Sequence, residues 1–344
     1  MTPREVVTRA IEFQNPERLP VNGYGDVSDV TWVGYEQVKP PQAEADPQLD
    51  QWMCRWAKTD EPNMGQVKGH PLEDLAAMKD FPWPDGADPR RYVNVPKNLE
   101  EMAADPLRKD KYLVAGIFMI LWERMHSLHG FEATMIDLMH DTPAIHELAD
   151  HVLEYDLAVV RSLSGVAGDR IHGFSFTEDW GTQHDVHISP KLFRAFFFPR
   201  YQKLFAAIHQ AGWHVWMHSC GKVNKFIEPL IEAGVDVLNL QQPTVNGIDE
   251  IGRLFAGRVT FETLCDIQMT LPEGNRRKIT AEAEQLMKAW GTPKGGFILG
   301  DYGDARAIGV DPTIKEFMLG EFRRMDVWKA NHKGTKGRRH GGTK

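Results

Sequence analysis

The residue types that could do chemistry are concentrated in the segment His-Ser-Cys-Gly at 218–221. His218 and Cys220 follow an apolar run, and side chains two residues apart on an extended chain point to the same side. Imidazole and thiolate are ligands that Zn²⁺ takes in tetrahedral sites, and a catalytic zinc site keeps one position open. Gly221 precedes a predicted helix, which places Cys220 near a helix N-terminus, where a thiolate is favoured. The segment therefore predicts half of a zinc site; the alternative is a hydrogen-bonded histidine beside an inert buried thiol.

A third metal ligand has to come from another part of the chain. Cys265 follows a second apolar run and is the predicted third ligand. Glu178, Asp179 and Asp301 are the alternatives, with oxygen as the ligand atom. A zinc site of this type can hold an incoming thiol as a thiolate at neutral pH, which makes that thiol a nucleophile.

Other polar residues also follow apolar runs. Glu178 and Asp179 are adjacent, and like charges this close raise one of the two pKa values, which suits proton transfer or metal binding. Asp301 and Tyr302 lie in a glycine-bounded loop. We predict catalytic roles for all four residues; the alternative for the acids is that they cap turns or helices.

The apolar runs alternate with helix-like segments. Strands are predicted at 19–21, 112–117, 171–176, 214–217, 235–240, 259–261 and 296–299. Helices are predicted to begin at Thr2, Ser189 and Asp311 and to cover 223–232 and 280–290. Strands that alternate with helices form parallel βα units. These seven strands, with an eighth expected within 26–109 or near Leu121, predict an α/β fold of the (β/α)8 TIM-barrel type.

Catalytic groups of a TIM barrel lie where the strands end and the following loops begin. This rule selects the residues already named, and it adds Asn239, Gln241 and Gln242, which follow the run at 235–240. These three amide side chains are the predicted cofactor-binding residues. No Gly-x-Gly-x-x-Gly follows a strand, as an open dinucleotide-binding sheet would require.

A single TIM-barrel domain is predicted over residues 1–332. Residues 26–109 are irregular and rich in Pro, Trp and Asp, and we predict that they form a long N-terminal insertion, with short helices, over one face of the barrel. Residues 333–344 carry no apolar side chain and are predicted to be a mobile, solvated basic tail.

The composition narrows the class of partner. A formal net charge of -8 argues against nucleic acid as a partner, because tracking phosphates requires a positive surface. No run of about 18 apolar residues occurs, so no membrane span is expected. The chain has three cysteines, too few and of odd number for a disulfide framework, which indicates a reducing compartment, and the cytoplasm fits best. One of them, Cys54, is predicted to have a packing role beside tryptophans. A small-molecule substrate is the expected partner, and a homodimer is left open.

Eight segments of the chain resemble the uroporphyrinogen decarboxylase superfamily, which also contains the corrinoid-dependent methyltransferases. The segments are 4–20, 178–183, 188–193, 199–201, 218–221, 231–239, 266–268 and 295–299. The most specific are the His-Ser-Cys-Gly segment and 231–239. The resemblance covers most of the chain, and the fold that it implies is a TIM barrel.

The resemblance is closer to the methyltransferase branch than to the true decarboxylases. The decarboxylases carry an Arg-Gln-Ala-Gly-Arg-Tyr segment whose arginines bind substrate carboxylates; this chain lacks it, and their late Gly-His pair is Gly300-Asp301 here. The methyltransferases use His-x-Cys and a distant Cys as zinc ligands, and His218 and Cys220 match the first two. The distant Cys would fall near Asp301, so Cys265 or an oxygen ligand has to substitute.

The predicted function is that of a zinc-dependent methyltransferase, which moves a methyl group between a corrinoid and a thiol or folate acceptor. The resemblance implies zinc as the metal and a corrinoid as co-substrate, carried on a separate protein. Two alternatives stay open. One is metal-free decarboxylation of a tetrapyrrole acid, and the other is a non-catalytic barrel that binds a corrinoid or a partner protein.

Overall fold

A central parallel sheet organises the chain. The structure, a computed structural model, describes residues 1–58, 65–326 and 328. The strands within these residues are β1 (Val30–Trp32), β2 (Arg55–Ala57), β3 (Gln66–Gly69), β4 (Tyr112–Ile117), β5 (Gly173–Thr177), β6 (His214–His218), β7 (Val237–Asn239), β8 (Thr260–Thr263) and β9 (Phe297–Leu299). Seven of them form one parallel sheet in the order β1-β4-β5-β6-β7-β8-β9, and β2 and β3 form a separate antiparallel hairpin.

The two edges of the curled sheet are linked by the segment before β1. Val21 forms a parallel bridge with Leu299 of β9. The N–H of Asn22 donates to the Leu299 carbonyl at 2.8 Å, and the N–H of Asp29 donates to the Val21 carbonyl at 2.7 Å. The predicted strand at 19–21 is therefore reduced to a bridge. The expected eighth strand is β1, and the region near Leu121 begins a helix instead.

Helices separate the strands along the chain. Those of the described residues are α1 (Pro3–Ile11), α2 (Pro41–Ala45), α3 (Val95–Ala104), α4 (Leu121–His129), α5 (Phe131–His140), α6 (Pro143–Ala167), α7 (Pro190–Leu192), α8 (Phe198–Gln210), α9 (Asn224–Ala233), α10 (Pro243–Asn246), α11 (Ile248–Phe255), α12 (Thr270–Glu273), α13 (Arg276–Trp290) and α14 (Pro312–Arg324). The starts predicted at Thr2, Ser189 and Asp311 are confirmed, because each of these side chains accepts a backbone N–H of the first turn. The helix after Ser189 is interrupted by a π-helical turn, Phe193–Phe197.

Residues 26–109 do not lie wholly outside the central sheet. They contain β1, whose residues pair with β4. The remainder, as far as it is described, carries the β2–β3 hairpin, α2, α3 and short 3₁₀ turns. The predicted basic tail, 333–344, lies outside the described residues. None of the described helices has the length and apolar character needed to cross a bilayer.

The amino-terminal end of the sheet is closed by apolar packing. A separate buried cluster there consists of Val7, Ile11, Val30, Tyr112, Val114, Trp216, Val237 and Ile298. Two of its members belong to α1, and Val30 and Tyr112 are the first residues of their strands. Helix α1 covers the amino-terminal end of the sheet. The polar residues at the carboxyl ends of the strands lie at the opposite end of the sheet, away from α1.

Candidate metal and active site

Three side chains that could each offer a ligand atom to a metal ion lie together at the carboxyl ends of β5 and β6. They are Asp179, His218 and Cys220, and one donor atom of each lies within 4.8 Å of the other two. His218 Nε2 is 3.3 Å from Cys220 Sγ and 3.6 Å from Asp179 Oδ1. Within the described part of the chain, this is the one group of three or more His, Cys, Asp or Glu residues with such spacing. We call it the donor cluster.

The imidazole of His218 is oriented by the neighbouring strand. His218 ends β6 and pairs in register with Asn239, which ends β7. His218 Nδ1 lies 2.6 Å from Asn239 Oδ1, an atom that can only accept, so Nδ1 carries the hydrogen. The lone pair of Nε2 then points toward Cys220 and Asp179. This is the support that metal-binding histidines typically receive from outside the ligand set.

Asn239 is itself held by the next strand. It pairs in register with Glu262 of β8, and its amide lowers the pKa of the Glu262 carboxyl. Glu262 Oε1 also accepts a hydrogen bond from Asn22 Nδ2 at 2.8 Å. Burial raises the pKa of Glu262 to about 7. Asn239, predicted to bind a cofactor, thus lies behind His218 and beside Glu262 on the neighbouring strand.

Two loops position Asp179 against Cys220. The N–H of Cys220 donates to Asp179 Oδ1 at 2.8 Å. Gly221 has φ +75°, and a Cβ there would lie 2.2 Å from the Gly181 carbonyl oxygen. Only glycine permits this approach of the two backbones. The loop after β5 and the loop after β6 are therefore packed directly against each other.

The loop after Cys220 is fixed from its other side by two amides. Gln242 Oε1 accepts from the Gly221 N–H at 2.8 Å, and Asn246 Oδ1 accepts from the Val223 N–H at 2.9 Å. Gln242, also predicted to bind a cofactor, is buried and supports this loop. Gln241 is half-buried, and its amide lies 3.5 Å from the Asp301 carbonyl.

Glu178 points away from the donor cluster. Its carboxylate is fully buried below the N-terminus of α4, where it accepts the N–H groups of Trp122 and Glu123 at 2.8 and 2.9 Å. It also accepts the Tyr201 hydroxyl at 2.6 Å. Burial raises the pKa of Glu178 to about 8. Of the adjacent acids, Asp179 is the accessible one, with its side chain 40% exposed.

Glu123 is a site residue that the sequence reasoning missed. Its Oε2 accepts the Thr177 hydroxyl at 2.6 Å. Burial, and then the nearby Asp179 and Glu178, raise the pKa of Glu123 well above its usual value. Glu123 and Asp179 line the same cavity of about 530 Å³, with apolar walls from Trp56, Val67, Phe118, Met119 and Phe131. The available clue was its place just after β4, at a strand's carboxyl end.

The remaining predicted residues lie apart from the donor cluster or at its edge. Cys265 is fully buried against the outer helices, and its Sγ lies 3.5 Å from the carbonyl of Ile279 in α13. Asp301 forms a shielded ion pair with Lys315, 2.6 Å between Oδ2 and Nζ. Tyr302 is half-buried, and burial, followed by the charge of Cys220, raises its pKa. The structure brings Asp179, and not Cys265 or Asp301, to His218 and Cys220.

The surroundings of the Cys220 thiol would favour a bound cation. Burial raises the pKa of this thiol, and Asp179 raises it further. Without a positive charge nearby, the thiolate form is disfavoured beside a carboxylate. A divalent metal would compensate both groups, so the donor set of one nitrogen, one sulfur and one oxygen fits zinc.

Comparison with known families is decisive for the chain's classification. The family model described as uroporphyrinogen decarboxylase (URO-D) matches residues 111–300, more than half of the chain. The chain belongs to the uroporphyrinogen decarboxylase family. This match runs from the start of β4 to just after β9 and so includes every member of the donor cluster. No curated protein sequence matches the chain.

One solved structure shares the fold of nearly the whole chain. A methyltransferase from Methanosarcina mazei aligns over 94% of this chain and 99% of its own, with a TM-score of 0.68 and 15% sequence identity. Two sugar epimerases align less closely. A D-psicose 3-epimerase has a TM-score of 0.41 and 11% identity, over 67% of this chain and 81% of its own. A 3-keto-D-glucoside 4-epimerase from E. coli has a TM-score of 0.41 and 12% identity, over 74% and 97%.

Proposed function

We propose that the protein is a zinc-dependent methyltransferase that moves a methyl group between a corrinoid, carried on a separate protein, and a thiol or folate acceptor. The observation that carries the proposal is the donor cluster of Asp179, His218 and Cys220, with His218 oriented by Asn239. Three protein ligands with a fourth position open are the pattern of catalytic zinc sites. Membership in the URO-D family and the fold shared with a methanogen methyltransferase support the same assignment.

The chain's own residues supply the surroundings of the reaction. Bound zinc would lower the pKa of an acceptor thiol so that it reacts as a thiolate. Glu123 lines the 530 Å³ cavity beside Asp179 but is not part of the donor cluster, so its carboxylate is placed to receive the proton that the acceptor loses. Trp56, Phe118 and Phe131 provide apolar walls that limit water at this point.

Decarboxylation of a tetrapyrrole acid is disfavoured by the charge of the cavity. A substrate with many carboxylates needs several Arg or Lys side chains to neutralise it. Among the described residues that line the cavity beside the donor cluster, Lys68 is the one such side chain, whereas Glu123 and Asp179 are acidic. The cavity therefore favours a substrate without several negative charges.

Zinc analysis of the purified protein tests the proposal. We expect about one equivalent of zinc, reduced below about half an equivalent by Cys220→Ala and unchanged by Cys265→Ala. Asp179→Asn should lower zinc affinity, while Asp301→Asn should not. Less than half an equivalent in the unmodified protein, unchanged by Cys220→Ala, would refute the zinc site.

Two activity assays separate the alternatives. Loss of the methylcobalamin absorbance in the presence of a small thiol or a folate would support the methyltransferase. Formation of coproporphyrinogen from uroporphyrinogen would instead establish the decarboxylase. Binding of a corrinoid without turnover in either assay would show a non-catalytic barrel.

A further inference from the structure

A second cavity lies over the carboxyl ends of β1 and β4, beside the one that reaches the donor cluster. Its volume is about 350 Å³, and none of the donor cluster residues lines it. Trp56 and Phe118 line both cavities, and their ring centroids are 6.2 Å apart. The two cavities therefore share a wall of two aromatic rings.

Aromatic side chains make up much of the lining of this second cavity. They are Trp32, Tyr35, Trp52, Trp56, Phe118 and Tyr155. Trp32 is 54% exposed and Phe118 42% exposed, which is unusual for side chains of this size. Walls of this kind favour a flat, conjugated ligand, because aromatic rings stack or meet edge to face.

A buried guanidinium, Arg124, lines the same cavity with its hydrogen-bonding capacity largely unused. It is 4% exposed, and its Nη1 and Nη2 donate to Asp50 Oδ2 at 3.2 Å and to the Phe118 carbonyl at 3.3 Å. Both contacts are long for a charged donor. Its Nε–H is buried and has no partner among the described residues. A guanidinium has five N–H donors, so Arg124 is under-satisfied for a buried charge.

The one carboxylate that Arg124 contacts is already committed to other donors. Asp50 Oδ1 accepts the backbone N–H groups of Trp52 and Cys54 at 2.8 and 2.9 Å. Asp50 Oδ2 accepts the indole N–H of Trp56 at 3.0 Å. The negative charge of Asp50 is thus shared among four donors, and it compensates Arg124 only in part.

A second buried guanidinium adds positive charge to the same region. Arg91 is 1% exposed and donates to the Asp85 carbonyl and to Gln51 Oε1, each at 2.6 Å. Within the described part of the chain, it forms no ion pair with a carboxylate. Gln51 lines the cavity and bonds to the Tyr155 hydroxyl. Asp156 does not compensate, because burial raises the pKa of its carboxyl well above the usual value.

We propose that this cavity binds a small aromatic carboxylate, with the anion on Arg124 and the ring against the aromatic wall. Asp50 pairs with Arg124 but not with Arg91, so an incoming anion would complete the charge balance that a buried cation requires. A volume of about 350 Å³ accommodates a single-ring acid. The site is distinct from the donor cluster, requires no metal, and does not depend on the proposed function.

Calorimetric titration of the full chain in the presence of a chelator tests this binding site. The probe is benzoate, with benzamide as its neutral analogue and acetate as the anion without a ring. We expect benzoate to bind at least about tenfold more tightly than either analogue, since each lacks one of the two recognition elements. Equal binding of benzamide would overturn anion recognition, and equal binding of acetate would overturn the aromatic wall. No heat from benzoate up to about twenty millimolar would overturn the site as a whole.

Two variants locate the binding event. Arg124→Gln should weaken benzoate by about tenfold or more, but this residue is buried, so its circular dichroism spectrum has to match the unmodified protein. Trp32→Ala changes an exposed side chain and should weaken benzoate about three- to tenfold without loss of fold. Arg170→Gln, on an exposed turn after α6, is the matched control for loss of positive charge. Unchanged affinity in Trp32→Ala, or an equal loss in Arg170→Gln, would place benzoate elsewhere.

Discussion

Replacing Asn239 with leucine removes the group that orients His218 while retaining the volume of the side chain. The Nδ1 hydrogen bond of 2.6 Å is then lost, and the imidazole can rotate away from Cys220 and Asp179. Loss of such a supporting partner typically lowers metal affinity about 10- to 100-fold. Since each tenfold corresponds to about 1.4 kcal/mol, the binding free energy of zinc should fall by about 1.4 to 2.8 kcal/mol.

The measurement is a competition titration of zinc against a chromophoric chelator, with Asn94→Leu as the control. Asn94 is exposed and bonds through its amide to Glu36, far along the chain from the donor cluster. If Asn239 only stabilises the fold, its loss should lower the free energy of unfolding by about 0.5 to 1.5 kcal/mol and leave zinc affinity unchanged. Zinc affinity within twofold of the unmodified protein, in a folded variant, would refute the orienting role.

The remaining predictions concern pH and the packed loops. Because burial raises the folded-state pKa of Glu262 to about 7 from an ordinary value near 4.5, its stabilising contribution should be complete below pH 4.5 and be lost as the pH rises through 7. Urea titrations of metal-free protein between pH 5 and 8 should therefore show a steeper decline in stability than those of Glu262→Gln; parallel curves would contradict this. Gly221→Ala should destabilise the fold by about 1 to 3 kcal/mol more than Gly212→Ala, because both have positive φ but only the first meets a backbone carbonyl. Equal thermal shifts for the two variants would show that the contact with Gly181 costs nothing.

The fold was largely predictable because interior parallel strands are continuous apolar runs. The run at 112–117 is confirmed as β4 to the residue, and the other runs from 171 onward differ from their strands by one or two residues at one or both ends. Two short segments of the sheet could not be predicted from apolar runs. β1 has only three residues in an irregular stretch, and the segment at 19–21 is held by a single bridge. Such short pieces owe their place to tertiary pairing more than to pattern.

Only those members of the donor cluster that are close together in sequence could be predicted. His218 and Cys220 are two residues apart on one strand end, so their proximity follows from backbone geometry. The position of the third donor, Asp179, depends on the contact between Gly181 and Gly221, which joins loops about forty residues apart in sequence. Such a contact produces no periodic pattern of apolar residues in the sequence. The strand-end rule alone could not separate Asp179 from Asp301 or Cys265. It also passed over Glu123, whose place in the first turn of α4 looks like an ordinary helix charge.

The donor cluster and the cavity walls come from different parts of the chain. Asp179, His218 and Cys220 belong to β5, β6 and their loops, whereas the hairpin of β2 and β3 supplies Trp56 and Val67 to the cavity. The donor cluster and the walls that the hairpin supplies can therefore diverge separately during evolution. Substitutions in the hairpin would change which molecules reach the donor cluster without disturbing its side chains, so one such cluster can be inherited by relatives that accept unrelated substrates.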